Sequence, residues 1–328
     1  MTEPMTVQRT PEKDAKTCVF MLVTILIPAI FTLSSIDIAR KTIDLDKFSN
    51  PSPYSYTWSL SLFIIPMLVI GWWFLTHPSY HSQRKAFWIT IFTLVPLGFL
   101  LDFLFGSLFF IFPNEGATLG IKVPVVPFDG STVPIEEFAF YIFGVAFTLL
   151  FYLWGDEFWF GAYRVPDYKA ETSNLKVSNV IKFHPRSLII GIALIIAGIV
   201  YKKFFSGSPE GFSGYFTFLV IIAIMPSVVL FRTALPFINW RAFSQTLFIM
   251  LLISIIWEAS LAVPYGWWDY NHEQMLGIFI FGWTNLPVEA ALLWIAVSYT
   301  TVIVYEVFKI IVALDKPFFD ALFRDSQQ

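Results

Sequence analysis

The sequence predicts an all-α, polytopic transmembrane helix bundle of about eight spans. Three observations point there. Hydrophobic residues make up 56% of the 328 and charged residues only 14%, against about 25% charged in a typical soluble domain. Phe alone occurs 37 times. Eight stretches approach the roughly 20 apolar residues that a helix needs to cross the hydrocarbon core. The same composition excludes a disordered chain. A single cysteine, Cys18, excludes a disulfide-stapled scaffold. A net charge of -3 leaves no basic footprint for nucleic acid.

In chain order the expected spans are 18–36, 57–76, 86–112, 134–154, 187–201, 213–231, 242–263 and 287–311. The first has an apolar run longer than the roughly 7–15 residues of a signal-peptide core, and no small-x-small cleavage site follows it. It therefore reads as an extra N-terminal helix that is retained. The stretch at 187–201 is short for a full span. Most of the 21 Lys and Arg residues fall in the N-terminal tail, the 77–85, 155–186 and 232–241 loops and the C-terminal end, while the 264–286 loop has none. Basic loops stay on the cytoplasmic side, so both termini of this multi-pass protein are expected to be cytoplasmic.

The chain also repeats itself. Lys85-Ala86-Phe87 opens the third span and Arg241-Ala242-Phe243 the seventh; Leu119-Gly120-Ile121 returns as Leu276-Gly277-Ile278; Pro134-Ile135-Glu136-Glu137 returns as Pro287-Val288-Glu289-Ala290. Tyr152 and Tyr305 then match. The expected organisation is a tail at 1–17, an extra span and loop at 18–56, a first three-helix repeat at 57–154, a linker and connector helix at 155–212, a second repeat at 213–311 and a tail at 312–328. Equivalent helices lie four spans apart, so the repeats are parallel. A pocket is expected at their interface. Pro134 and Pro287 are expected in the first turn of their helices, where a missing N–H costs nothing. The acids behind them suit the positive end of the helix dipole.

Five carboxylates stand out against this apolar background. An acid at the centre of a membrane helix costs about 2.5–3.5 kcal/mol on insertion scales. Asp102 and Glu258 occupy matched positions about 24 Å into their spans, at about 1.5 Å per residue. Glu136, Glu137 and Glu289 begin their spans from that same side, so all five are expected at similar depth. Neighbouring helix positions point about 100° apart, and Glu137 aligns with an alanine, which makes it the asymmetric member. Desolvation and like-charge repulsion oppose ionising the whole set at once. Protonated and ionised members are therefore expected side by side, as paired acid–base chemistry requires.

Absences narrow the chemistry. The sequence has no G-x-G-x-x-G for a nucleotide cofactor and no D-D-x-x-D run for magnesium and a diphosphate. His77-Pro78-Ser79-Tyr80-His81 has the spacing of an iron ligand pair, but four histidines in the chain are too few for a membrane di-iron site. It reads as an ordinary loop. No metal and no cofactor are expected, and proton chemistry on a lipophilic substrate fits what is left.

The duplicated P-[IV]-E-[EA] openings, each preceded by a helix with a buried acid, resemble the integral-membrane lycopene cyclase domain family. The second half adds Tyr265-Gly266-Trp267-Trp268-Asp269-Tyr270 before Leu276-Gly277-Ile278. The resemblance spans about 56–311. It implies a fused pair of three-helix domains that cyclises the ends of a linear carotenoid or other isoprenoid lipid without net redox change. A carboxylic acid protonates a terminal alkene, an internal alkene attacks the cation, and a carboxylate removes a proton. On this reading Glu137 is the donor, Asp102 and Glu136 form its network, and Glu258 and Glu289 complete the site and supply the base. Phe128, Phe138, Tyr265, Trp267, Trp268 and Trp283 are the aromatic candidates for binding substrate and stabilising the cation, although aromatic residues at span ends also form the ordinary interfacial belt. The chain departs from the family pattern in its extra N-terminal span, in Ala290 where a second acid is expected, and in the 123–130 loop, which lacks the Trp-rich motif. These departures bear on the substrate more than on the fold. A proton-coupled carrier and a non-catalytic carotenoid-binding membrane protein are the alternatives. A carrier of polar solutes should bring polar or basic partners to the acids, and Leu100-Leu101-Asp102-Phe103-Leu104-Phe105 offers none. Oligomeric state is not encoded in these patterns.

Overall fold

Among the described residues, seven helices are long and apolar enough to cross a membrane, and they correspond to the second through eighth expected spans. The computed structural model describes residues 16, 19, 53–77, 81–280 and 285–323; the expected span at 18–36 and Trp283 lie outside them. With 71% helix and strands of only two or three residues among the described ones, the chain is an all-α multi-pass membrane bundle.

The helices are α1 (Ser61–Thr76, preceded by a helical turn at Ser55–Ser59), α2 (His81–Phe109), α3 (Ile135–Trp154), α4 (Pro185–Phe204), α5 (Gly214–Ala234), α6 (Trp240–Trp257) and α7 (Val288–Leu314). The span expected to be short is a full one: α4 has 20 residues. Pro185 starts it without needing an N–H. Lys202 and Lys203 carry it past Tyr201, where positive charge suits the C-terminal end of the dipole. Pro66, Pro96 and Pro226 sit inside α1, α2 and α5, as membrane helices tolerate.

Pro134 and Pro287 stand one position earlier than expected. Each is the residue before its helix, in extended conformation with ψ 148° and 147°. Each also ends a short strand, because a proline carbonyl still serves a ladder that its nitrogen cannot. The strands are β1 (Phe110–Ile111), β2 (Lys122–Pro124), β3 (Thr132–Pro134), β4 (Asp269–Tyr270), β5 (Phe279–Ile280) and β6 (Leu286–Pro287). β2 pairs with β3 and β5 with β6, both antiparallel, directly ahead of α3 and α7. β1 pairs with β4, joining the two halves of the chain with Phe110 opposite Tyr270.

α7 is the most deeply buried of the seven helices and packs against α2, α3, α5 and α6. The packing partners match between halves: α1 lies on α3 as α5 lies on α7, and α2 on α3 as α6 on α7. Glu306 lies on α7 about 25 Å from Glu289, at about 1.5 Å per residue. Here a buried network closes the far end of the bundle. Glu306 accepts from Tyr168 Oη and, at 2.7 Å, from Tyr152 Oη. Lys309 Nζ lies 3.5 Å from its carboxylate. Asn239 caps α6 through the Ala242 N–H and donates to Asp156 at 2.8 Å. Paired and hydrogen-bonded, these charges meet the condition for burial.

Candidate functional site

Three of the five sequence-predicted carboxylates converge. Asp102 (α2) and Glu137 (first turn of α3) line one cavity of about 50 Å³. Glu137 also lines a second cavity of about 30 Å³ with Glu258. Phe110, Phe140 and Leu293 are shared by both, so Glu137 stands in a partition between two compartments. All three acids are buried.

Each acid reaches its position for a local reason. Asp102 lies in regular helix, and Gly106 one turn on leaves room for it, since a Cβ there would sit 2.7 Å from Asp102 Oδ1. Its Oδ2 is buried without a hydrogen-bond partner. Glu137 accepts from Tyr56 Oη at 2.5 Å, which fixes its carboxyl from the turn ahead of α1. Glu258 opens a π-helical turn at Glu258–Ala262, closed by Val263 N–H to Glu258 O at 3.0 Å. The wider turn re-aims the side chains that follow, as π-bulges at functional sites do. Glu258 accepts from Tyr270 Oη and, at 3.1 Å, from Trp294 Nε1.

Glu136 and Glu289 are placed differently. Glu136 Oε1 accepts from Leu119 N–H and from Thr57 Oγ1, both at 2.6 Å. Glu289 Oε1 accepts from Leu276 N–H, also at 2.6 Å. Each ties the loop before its helix back onto the first turn, and neither lines a compartment. Their second oxygens are buried and unpartnered. Lys202 of α4 is buried, and its Nζ donates to His272 O at 3.3 Å, in the loop that Glu289 ties down.

The predicted aromatic residues also divide. Trp268 lines the second compartment, 5.0 Å from Tyr56 and 4.7 Å from Trp257 between ring centroids. Trp267 is buried behind it, stacked on Tyr56 at 6.1 Å. Tyr265 stacks on Trp267 at 6.4 Å, and its carbonyl accepts from Asn114. Phe138 packs edge-on against Phe99, away from both cavities. Phe128 is 62% exposed, at φ 65° beside Asp129. Hydrogen bonds from Ser131 hold the exposed Asp129 carboxyl below the usual range.

Several site residues were missed from sequence. Tyr56 falls one residue before the expected span. Trp257 directly precedes Glu258, and Phe140 and Trp294 sit one helical turn or so beyond Glu137 and Glu289; they read as ordinary apolar positions. Phe140 lies 5.8 Å from Trp257 and 5.3 Å from Trp294. The signal that marks them is adjacency to the acids at helical spacing.

Chemically, the arrangement offers carboxyl groups facing cavities whose remaining walls are aromatic and aliphatic, apart from tyrosine hydroxyls and tryptophan N–H groups. It can hold an apolar group against a proton donor and acceptor, with ring faces to attract a passing cation. Among the described residues no cluster of His, Cys, Asp and Glu is arranged to hold a metal. Comparison with protein-family models, with curated proteins and with solved structures returned no match.

Proposed function

We propose that the chain is a membrane-embedded, redox-neutral cyclase of a linear carotenoid or related isoprenoid, similar in mechanism to the lycopene cyclase domain family. The observation that carries this reading is Glu137 lining both cavities, with Asp102 on one side and Glu258 on the other. Glu137 gives up its O–H proton to a terminal alkene, forming a C–H bond and a tertiary cation. An internal alkene attacks that cation and closes a six-membered ring. A carboxylate removes a C–H proton and leaves the new double bond. On this reading Asp102, whose unpartnered oxygen belongs to the same cavity, takes that proton and returns it to Glu137 before the next cycle; Glu258 and its Tyr270 partner hold the opposite compartment. Glu136 and Glu289 contribute by fixing the loops that roof the site. Positioned acid–base groups of this kind contribute about 10²–10⁴-fold.

The reading keeps two parallel three-helix repeats, 57–154 and 213–311, with α4 as connector and both termini cytoplasmic. The matched packing pairs and the matched Leu119–Glu136 and Leu276–Glu289 bonds support the repeat. Against a carrier of polar solutes, the described residues of the cavity walls include no Ser, Thr, Asn, Gln, Lys or Arg.

Expression in cells that accumulate lycopene, and separately in cells that accumulate squalene or shorter prenoids, tests the proposal. Conversion of linear to cyclic product is expected in one of them. Unchanged pigments and lipids in every strain would turn the assignment towards a carrier or a carotenoid-binding protein.

A further inference from the structure

Among the described residues, nothing closes the first cavity on its flank. It lies between α2, α3, α5 and α7, and its lining includes Leu101, Phe105, Phe218, Leu293 and Val297. All five are half-buried rather than buried, and all lie in apolar membrane-spanning segments. α2 and α5 both pack on α7 but not closely on each other. Aromatic rings bridge the seam instead: Phe105 to Phe218 at 5.6 Å, Phe109 to Phe218 at 5.3 Å and Phe109 to Tyr215 at 4.9 Å. The end near the loops is roofed. There β1 pairs with β4, and Phe110, which lines both cavities, sits opposite Tyr270.

We propose that this seam is a lateral portal through which one end of a linear, unsaturated apolar chain slides from the bilayer into the Asp102–Glu137 cavity. The identity of the chain rests on the cyclase reading; the route rests on the geometry of the seam. Three features commit the portal to such an occupant. Its half-buried lining is aliphatic and aromatic, it lies on apolar membrane-spanning segments, and the Asp102 and Glu137 carboxyls line the same cavity. The cavity, at about 50 Å³, holds a few waters at about 10–15 Å³ each. A chain end therefore enters only as Phe105 and Phe218 swing apart. Aromatic rings turning about two side-chain torsions suit that role better than packed backbone. A long chain keeps its remainder in the bilayer, so its two ends enter in turn and not together.

The test uses the full chain in proteoliposomes, with lycopene for turnover and a geranylgeranyl chain bearing a terminal diazirine for photolabelling. Labelling is expected in 101–109 and 215–218. Val297→Trp, which narrows the cavity, should lower it about tenfold, the change that a loss of about 1.4 kcal/mol gives. Phe218→Ala, which opens the gate, should raise the labelling rate, and Ile189→Trp on the exposed face of α4 should leave it unchanged. Seam labelling with lycopene turnover supports both portal and cyclase. Seam labelling without turnover of any isoprenoid keeps the portal and overturns the cyclase reading. Turnover with labelling elsewhere, insensitive to Val297→Trp and Phe218→Ala, overturns the portal and leaves the cyclase standing. Neither signal overturns both.

Discussion

Asn114 and Asn271 fasten each half of the chain to the other by the same pair of hydrogen bonds. Asn114 donates its backbone N–H to Gly266 O at 3.0 Å and its side-chain amide to Tyr265 O at 2.9 Å. Asn271 donates its N–H to Phe109 O at 2.9 Å and its amide to Leu108 O at 3.0 Å. One constant shift along the sequence converts the first set into the second. The two asparagines flank the β1–β4 pairing and hold the roof over both cavities. Asn114→Ala should cost about 1 kcal/mol, the net worth of one hydrogen bond, and Asn271→Ala somewhat more, because Asn271 Oδ1 also accepts from Glu273 N–H at 3.3 Å. Thermal unfolding in detergent should show a loss at both sites; a loss confined to one would mean that the two contacts are not equivalent.

Glu137→Gln keeps an acceptor for Tyr56 but removes the transferable proton. Asp102→Asn removes, across the cavity, the carboxylate that takes up the proton. Each should lower cyclised product by about 10²–10⁴-fold while the protein stays folded in membranes. Unchanged product from both variants would end the proposed roles.

Tyr56→Phe removes the hydroxyl that orients Glu137 and keeps the ring that packs on Trp268. Because Glu137 carries its proton on this reading, the bond joins neutral groups, and a loss of about 0.5–1.5 kcal/mol is expected. It should appear in turnover more than in the amount of substrate needed for half-saturation. An effect on half-saturation alone would make Tyr56 a binding residue.

Gly144 lines the first cavity, and a Cβ there would meet only Trp294, at 3.9 Å. Gly144→Leu should fill the cavity and abolish turnover with little loss of stability. Gly98→Ala is the contrast. Its Cβ would lie 2.5 Å from Tyr141 Cδ1, so it should lower stability by about 1–3 kcal/mol, the usual cost of overpacking. Unfolding curves and product assays on both variants separate the two effects.

At the far end, Lys309→Met leaves Glu306 buried without its cation. The expected cost is about 3–5 kcal/mol, and the double variant Glu306→Gln/Lys309→Met should recover much of it. A double variant as unstable as the single one would show that the phenol hydrogen bonds, not the charge pair, carry this network.

Much of the bundle was legible in the sequence because the bilayer enforces it. Seven spans follow from runs of apolar residues, which have no alternative to helix where water is absent. The acids stood out because charge is so expensive there. The duplicated motifs located Glu136 and Glu289, Asp102 and Glu258 as matched pairs. Boundaries were less legible: α4 extends to Phe204 because helix termini accept lysines, a detail that hydropathy alone reads as an end.

Composition and the lengths of apolar runs by themselves determined the class of the protein and seven of its spans, and the duplicated motifs gave the short set of carboxylates. Only the tertiary structure decided which of them share a cavity. Glu136 and Glu137 are neighbours in sequence, yet one binds the Leu119 amide while the other faces both compartments, because a helix turns adjacent side chains about 100° apart. Tyr56, Trp257 and Tyr270 entered the site the same way, from distant segments brought together by packing on α3, α6 and α7. Spacing along a chain reports the direction of a side chain within its own helix; what that side chain faces is set by the helices packed around it.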